Sequence, residues 1–465
     1  MAFNRRKFLH LATASTLVGA GLSGWPSNYT VHAADTAGYK ALVCVFLFGG
    51  LDGHDMLIPY DPESYNSYAS IRQTLLADYG EARSRDNLLS LDLGGASPFG
   101  SRQFALPPEM PQLKSLFDQQ RISFVANVGP LLEPVTAADF SNGTARLPSR
   151  LFSHNDQQST WQASAPEGAQ LGWGGLFADA AIAAGANVGG SEFTTLSTAG
   201  VGPFLTGNVA APYQVSLTGS AGIQALTLGG SNPGAFSEFL DRATDRFRAE
   251  GFDSDSVLAR DIAAKLRQSV DSNALFDAAR ANAIPLATAF PESSLGSQLK
   301  AVAETISLRT TLSASRQIFF VGTGGFDTHS NQASDLPALL GQIDAAFAAF
   351  NAALDELGVS QNVTTFTASD FGRTLAVNGD GTDHGWGGHQ IVMGAAVNGG
   401  TILGDISEAR LGHDLDSGGG RLIPSLSVEQ FAEPLGRWWG LNGQEIASAL
   451  PNLTNFDAAN LNLFS

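Results

Sequence analysis

Histidine and aspartate residues in glycine-rich segments are the groups in this sequence best suited to bind a metal ion or to take part in catalysis. Eight histidines occur in the 465 residues, and His10 and His32 fall in an N-terminal targeting segment. Five of the other six lie in Gly- or Asp-rich loops after predicted strands. Imidazole and carboxylate groups together are standard ligands of divalent metal ions. The six histidines in question are His54, His154, His329, His384, His389 and His413.

Two of these loops each place an aspartate after a predicted strand. Asp52 stands between glycines in GGLDGHD, where it either projects into a crevice or closes an Asx turn. Asp327 and His329 are two residues apart in GGFDTHSNQ. On an extended segment such side chains point the same way, so we predict that they grip one cation. A structural Asp–His hydrogen bond is the alternative.

A third loop carries Asp370 and Arg373 in SDFGRT and leads to His384 and His389 before the next strand. A guanidinium can fork onto a phosphate, sulfate or carboxylate, which would make Arg373 an anion-binding residue. The alternative is an ion pair that holds the loop. We expect Asp370 and one of the two histidines to ligate a metal and the other histidine to be structural.

A nucleophile is less clearly indicated. Ser153 precedes His154 in the region after the second predicted strand. Adjacent residues rarely pair as nucleophile and base, and a serine there also fits the N-cap of a helix. Both interpretations of Ser153 stay open.

The elements that must position these groups alternate between strand and helix. Continuous apolar runs predict strands buried on both faces, and helical patterns between them predict a doubly wound, largely parallel sheet with helices on both faces. Residues 60–100 look like a polar loop, and about 205–290 like a helical insertion with segments around 235–250, 256–270 and 271–283. The predicted strands are 41–48, 121–128, 317–322, 362–367 and 390–397, and the predicted helices are 109–119, 295–313 and 334–357.

A parallel sheet would gather the loops, since ligands bind beyond the carboxyl ends of its strands. Several carboxylates brought together would repel one another unless a cation lay between them. We therefore predict a divalent ion such as Zn²⁺ or Mn²⁺ at this edge. The predicted ligands are Asp52, Asp327, His329, Asp370 and one of His384 and His389.

The first 33 residues have the layout of a twin-arginine signal peptide. Arg5 and Arg6 precede a mildly apolar run, and small residues follow before Ala34. We expect cleavage near Ala34, export by the twin-arginine machinery as a folded protein, and a periplasmic or extracellular location without stable membrane insertion. Residues 34–465 would then form a single domain.

The charge and the cysteine content argue against a nucleic-acid partner and against an internal disulfide. With 26 basic and 44 acidic residues the formal net charge is −18, which argues against a nucleic-acid partner. Cys44, the one cysteine, lies in an apolar strand and reads as a small core residue that forms no disulfide.

These motifs together resemble a large family of twin-arginine-exported bacterial proteins, the domain of unknown function fifteen-oh-one. The resemblance rests on GG-x-D, S-H-x-x-x-Q, GFDTHSNQ, SDFGRT and GTDHG, and it covers essentially the whole mature chain. The family looks like a distant branch of the alkaline phosphatase superfamily, which includes sulfatases. Such enzymes are doubly wound α/β proteins with one or two metals at the carboxyl edge of the sheet.

The resemblance matches individual residues of this sequence to functional positions of the superfamily, and at one of those positions the residue differs. Asp52 matches the first-strand metal Asp of the superfamily, and Ser153 stands roughly where its nucleophile lies. Phe371 replaces the His of an Asp-His pair, which removes one ligand and favours a single ion.

Two functions follow as expectations. The first is an exported metal-dependent hydrolase of a small phosphate or sulfate ester, in which Arg373 holds ester oxygens and Ser153 or a metal-activated water attacks. The second is a catalytically degenerate relative that keeps the fold and acts in binding or envelope assembly.

Overall fold

Buried apolar strands alternate with helices along the chain, as the sequence predicts. The computed structural model describes residues 33–94, 98–217, 219–220, 255–459 and 461–464. Residues 34–465 group into one compact unit. The predicted signal peptide, except Ala33, lies outside the described residues.

The strands are β1 Lys40–Leu47, β2 Ile58–Pro59, β3 Leu89–Ser90, β4 Phe104–Leu106, β5 Ile122–Gly129, β6 Thr195–Ser197, β7 Tyr213–Ser216, β8 Gly219–Ser220, β9 Arg316–Thr323, β10 Val363–Ser369, β11 Arg373–Val377, β12 Thr382–His384, β13 Gly388–Met393, β14 Thr401–Gly404 and β15 Leu426–Ser427. The helices are α1 Gly53–Met56, α2 Pro62–Ile71, α3 Gln73–Tyr79, α4 Pro111–Asp118, α5 Ala137–Asn142, α6 His154–Ala163, α7 Trp173–Ala183, α8 Val257–Ala281, α9 Ser294–Ser307, α10 Gln332–Glu356, α11 Val428–Trp439 and α12 Gly443–Ala449.

One ten-stranded sheet contains all five predicted strands. Its order is β14-β5-β13-β10-β1-β9-β6-β7-β8, with β15 paired to β5. The central strand β1 pairs in parallel with β10 on one side and β9 on the other. The loops after β1, β9 and β10 therefore leave the sheet at the same edge, which confirms the predicted α/β architecture.

β13 is the exception to the parallel direction, because it runs antiparallel to both β10 and β5. The chain between β10 and β13 forms the β11–β12 hairpin instead of a crossover helix. A hairpin returns the chain to the edge that it left, so the next strand must enter the sheet from that edge. As a result His384 and His389 lie near the same edge as the aspartate loops.

Side chains alternate along β1 between two apolar layers. Val43, Val45 and Leu47 pack into a core with α4, α9 and α10. Cys44 and Phe46 pack into a second core with α7, α11 and α12. Cys44 is buried and unpaired, as expected for a small core residue.

Helix α10 is long and apolar enough to cross a membrane. Its apolar face nevertheless packs into the first core through residues such as Leu340, Phe347 and Phe350, each fully buried. Asp344 on the same helix accepts hydrogen bonds from the first turn of α4, from the backbone N–H of Gln112 and Leu113. These contacts identify α10 as a core helix.

Two predicted segments differ from the structure. Residues 60–100 contain α2 and α3, which the polar composition concealed; Asp61 caps α2, and Pro62 occupies its first turn. Within the insertion at about 205–290, β7 joins the main sheet beside β6. The two helical segments predicted at 256–270 and 271–283 form the single helix α8, since neither Gly nor Pro interrupts it. The segment predicted around 235–250 lies outside the described residues.

Close backbone contact joins the loop after β1 to the loop after β9. Gly49 has φ +117°, and a Cβ built on it would lie 2.4 Å from the backbone nitrogen of Asp327. The Phe48 carbonyl accepts a hydrogen bond of 3.2 Å from the N–H of Phe326. A glycine is therefore required where the two loops meet.

We predict that Gly49→Ala lowers the free energy of unfolding by roughly 2–4 kcal/mol, because the methyl group overlaps backbone and the φ angle is strained. Gly324→Ala is the matched control, since a Cβ there meets nothing within 4 Å. Urea unfolding of both variants measures the difference. Equal stability of the two variants would contradict this packing of the loops.

Candidate metal centre

Asp327, on the loop after β9, is the carboxylate on which the other groups converge. Its Oδ1 lies 3.2 Å from His384 Nε2 and 3.2 Å from His329 Nε2. Its Oδ2 lies 3.5 Å from His154 Nε2. Three imidazoles from separate parts of the chain therefore face one exposed carboxylate.

His384 is held so that its Nε2 presents a lone pair. Its Nδ1 lies 2.8 Å from the carbonyl oxygen of Phe152. A carbonyl can only accept, so Nδ1 carries the proton and the Nε2 of the neutral ring is unprotonated. Burial lowers the pKa of His384, which keeps the ring neutral.

His154, the first residue of α6, is oriented in the same way by a carboxylate. Its Nδ1 lies 2.6 Å from Asp370 Oδ2, which also accepts from Gln158 Nε2 at 2.9 Å. His154 and Gln158 are one helical turn apart on α6, so both reach Asp370. An imidazole that donates one N–H to a carboxylate and offers its other nitrogen is the usual arrangement behind a metal ligand.

These groups fit a divalent cation. The ligand atoms of His154, Asp327 and His384 all lie within 4.8 Å of one another, and these three residues form such a group within the described part of the chain. Ligand atoms on a tetrahedral zinc with bonds of about 2.0–2.2 Å are about 3.4 Å apart. Most separations here are close to that value. A lone pair at His384 Nε2 also faces the Asp327 oxygen, and a cation between them would remove their repulsion.

His329 lies on the solvent side of the cluster. Its Nε2 is 2.8 Å from His384 Nε2, and its Nδ1 is 3.5 Å from Asp383 Oδ1. The side chain is 43% exposed. It therefore stands beside the candidate ligands where solvent can reach it.

Arg373 binds protein groups at this edge. Nη1 donates to Asp327 Oδ1 at 2.7 Å and to the Gly49 carbonyl at 3.1 Å. Nε and Nη2 donate to the hydroxyl and the carbonyl of Thr382. The guanidinium is buried and shares the Asp327 crevice, but its bonding is that of an ion pair holding loops.

The same ion pair controls the charge of Asp327. Burial raises the pKa of this carboxyl, but the hydrogen bond and charge of Arg373 outweigh that effect, so the pKa lies below its ordinary value. The hydrogen bond to Asp370 raises the pKa of His154. Cation binding at His154 Nε2 would therefore release a proton when that ring is charged.

Phe371 forms an apolar wall behind the cluster. Its ring centroid lies 4.9 Å from that of His154 and 4.5 Å from that of His384. The position next to Asp370 thus supplies hydrocarbon instead of another ligand.

Asp52 and His389, two of the predicted ligands, are engaged elsewhere. Asp52 is fully buried and pairs with Arg72 through bonds of 2.7 and 3.1 Å, and it accepts from Gln332 Nε2. His389 Nδ1 accepts from the N–H of Asn127 at 3.0 Å. Burial lowers the pKa of His389 to about 4, so the ring is neutral. The structure therefore does not bring Asp52 or His389 into the cluster.

Asp370 and Ser153 lie next to the cluster. Asp370 stands behind His154, and its Oδ1 is buried without a partner among the described residues. Ser153 occupies the N-cap position of α6, but its hydroxyl donates to Asp156 Oδ2 at 2.8 Å instead of capping a backbone N–H.

His154 is the residue that sequence reasoning left out of the ligand set. The signal was present as a histidine and a glutamine four residues apart in SHNDQQ. That spacing places both on one helical face, but their target, Asp370, is 216 residues away in sequence.

A family model described as a protein of unknown function, DUF1501, matches residues 39–450. The chain belongs to the DUF1501 family. The match spans the whole sheet and every residue of the cluster.

Known structures similar to this DUF1501 protein include sulfatases. One is the PsFucS1 sulfatase from Pseudoalteromonas sp., with 11% identity, a TM-score of 0.33, and coverage of 87% of this chain and 68% of that one. Another is a Bacteroides thetaiotaomicron protein from work on glycosaminoglycan metabolism, with 10% identity, a TM-score of 0.32, and coverage of 86% and 73%. None of the curated proteins matches the chain.

The separate positions of Asp52 and Asp327 give a testable contrast. We predict that Asp52→Asn lowers the free energy of unfolding by roughly 3 kcal/mol or more, because Arg72 loses its buried partner, while the protein still binds one Zn²⁺. Asp327→Asn should lose the Zn²⁺ and the rise in Tm that the ion produces. Metal analysis and thermal unfolding with and without EDTA measure both effects. Loss of the ion in Asp52→Asn protein that remains folded would contradict the assignment.

Proposed function

We propose that this protein binds one divalent ion, Zn²⁺ or Mn²⁺, and hydrolyses a phosphate or sulfate ester at the cluster. The observation that carries the proposal is the convergence of one ligand atom each from His154, His384 and Asp327 within 4.8 Å of one another. Imidazole nitrogen and carboxylate oxygen suit both ions. When bound, the ion would supply positive charge that polarises the ester oxygens and stabilises charge developing in the transition state.

The protein's own residues would divide the remaining tasks. His154, His384 and Asp327 would hold the ion, with Asp370 orienting His154. Arg373 would fix Asp327, since its donors are bonded to protein and its side chain is 0% exposed. The wall formed by Phe371 would keep water from that side of the site.

We take a water molecule as the nucleophile, because the Ser153 hydroxyl is bonded to Asp156, a residue outside the cluster. The water oxygen would bond to phosphorus or sulfur as the ester bond breaks, and it would stay on the released anion. When His384 Nε2 holds the ion it no longer accepts from His329 Nε2, and this exposed nitrogen of His329 would then accept the proton of the water. The leaving alcohol oxygen would take that proton from His329, so that the products are an alcohol and inorganic phosphate or sulfate.

A non-catalytic function in ion-dependent binding or envelope assembly is the second candidate. It is favoured by the burial of Arg373, whose three nitrogens all donate to protein groups. Under this function the ion would stabilise the fold alone.

Hydrolysis of phenyl phosphate and phenyl sulfate, measured on metal-depleted protein reloaded with Zn²⁺ or Mn²⁺, separates the two. We expect metal-dependent release of phenol from one ester, and a fall in kcat/KM of about 100-fold or more in Asp327→Asn and His384→Gln. Asp118→Asn, at an exposed pair with Lys114, is the control and should retain activity. Ion binding without hydrolysis of either ester, or of further esters, would establish the binding function instead.

We also propose export by the twin-arginine pathway to the periplasm or beyond, on the basis of Arg5, Arg6 and the run that follows them. Replacing both arginines with lysine should leave uncleaved precursor in the cytoplasm. Fractionation and N-terminal sequencing test this, with an expected mature start near Ala34. Normal export of the double variant would refute the route.

A further inference from the structure

A cleft of about 320 Å³ adjoins the candidate metal centre. Gln158 connects the two, since its Nε2 donates to Asp370 and its side chain lines the cleft. Asn155, which also lines it, directly follows His154 in the chain. A ligand group bonded to an ester at the cluster could therefore extend into this space, whose size is at the lower end for small-molecule pockets.

The cleft has an apolar floor. Phe48, directly after β1, and Phe320 of β9 line it with their ring centroids 6.4 Å apart in an edge arrangement. Phe48 also contacts the cluster loop through the bond of its carbonyl to the Phe326 N–H. The floor of the cleft and the candidate ligand Asp327 are thus attached to the same strand ends.

The polar side of the cleft includes two amide oxygens and one carboxylate that can accept hydrogen bonds. Gln158 uses its Nε2 on Asp370, which leaves its Oε1 for a ligand. Asn155 directs its Nδ2 towards Glu167 at 3.5 Å, which leaves its Oδ1. The Glu167 carboxylate is a third acceptor, and it is exposed at the rim. O–H or N–H donors on a ligand would find partners in these three groups, the Glu167 carboxylate above all, because an ionised carboxylate can only accept.

The charge of the cleft also favours a ligand that carries hydrogen-bond donors. Glu167 is the charged residue in the lining, and no Lys, Arg or His lines the cleft among the described residues. A second anionic group on the ligand would meet a like charge without compensation, whereas hydroxyl or ammonium groups would be attracted.

We propose that this cleft is the leaving-group subsite of the esterase activity proposed above, that it takes a hydroxyl- or amino-bearing alcohol, and that Glu167 excludes leaving groups with a negative charge. The proposal rests on the proposed function for its reaction. Cleavage would place the alcohol, with its oxygen and a newly acquired proton, in the cleft and the phosphate or sulfate at the cluster.

The kinetic test compares esters that share one anionic group. Glu167→Gln should lower kcat/KM about tenfold for glycerol phosphate and phosphoethanolamine, which bring donors to the carboxylate, and change it less than about twofold for phenyl phosphate. Glu167→Lys should raise kcat/KM for phosphoglycolate about tenfold. Glu63→Gln, at an exposed glutamate on α2, is the control and should change none of these values. Equal effects of Glu167→Gln on all the esters would overturn the proposal.

The two donor-bearing esters distinguish the source of the donors. A larger loss for phosphoethanolamine would identify an ammonium group as the natural donor, and a larger loss for glycerol phosphate would identify hydroxyls. The corresponding sulfate esters replace this set if the enzyme cleaves phenyl sulfate.

A binding test separates failure of the subsite from failure of the hydrolase. Val201 lines the cleft and is 64% exposed, so Val201→Trp should fill it without disturbing the fold. Saturation-transfer NMR should detect glucose or ethanolamine on the wild type and on Val188→Trp, an exposed control position at 80%. It should detect neither on Val201→Trp. Such a pattern would support the subsite even if no ester were cleaved, and equal binding by all three proteins, or by none, would overturn it.

Discussion

The ion pair between Arg373 and Asp327 is the interaction on which the candidate centre depends. Its guanidinium, buried at the carboxyl edge of the sheet, also binds the Gly49 carbonyl and Thr382, so one side chain ties together the loops after β1, β9 and β10. Arg373 lowers the pKa of Asp327 and directs the carboxylate towards the imidazoles. The position of the negative charge that would attract a cation is therefore fixed by a buried positive charge.

Most of the fold was predictable because its physical signals are local. Continuous apolar runs identified the five long strands, and helical periodicity identified α4, α9 and α10. The direction of β13 was not predictable in this way, since it depends on the β11–β12 hairpin that replaces a crossover helix. Helices α2 and α3 were missed because their composition is polar, and the buried residue between them, Arg72, serves an ion pair with Asp52.

The sequence predicted the residue types of the candidate site better than it predicted which groups those residues contact. Asp327, His329 and His384 meet as the loop argument expects. Asp52 and His389 are metal-ligating residue types in the predicted loops. However, Asp52 pairs with Arg72, and His389 accepts a hydrogen bond from the backbone of Asn127. His154 joins the cluster because Asp370 fixes its ring. Whether a predicted residue joins the cluster depends on which partner it finds among the other buried polar groups. The spacing of residues in the sequence does not show those partners.

Anomalous scattering at the zinc edge, measured on crystals grown with Zn²⁺, tests the central claim most directly. The account predicts one peak per chain, at about 2.0–2.2 Å from Nε2 of His154, Nε2 of His384 and an oxygen of Asp327. A peak at Asp52, or no peak with those three side chains still at their present separations, would contradict it.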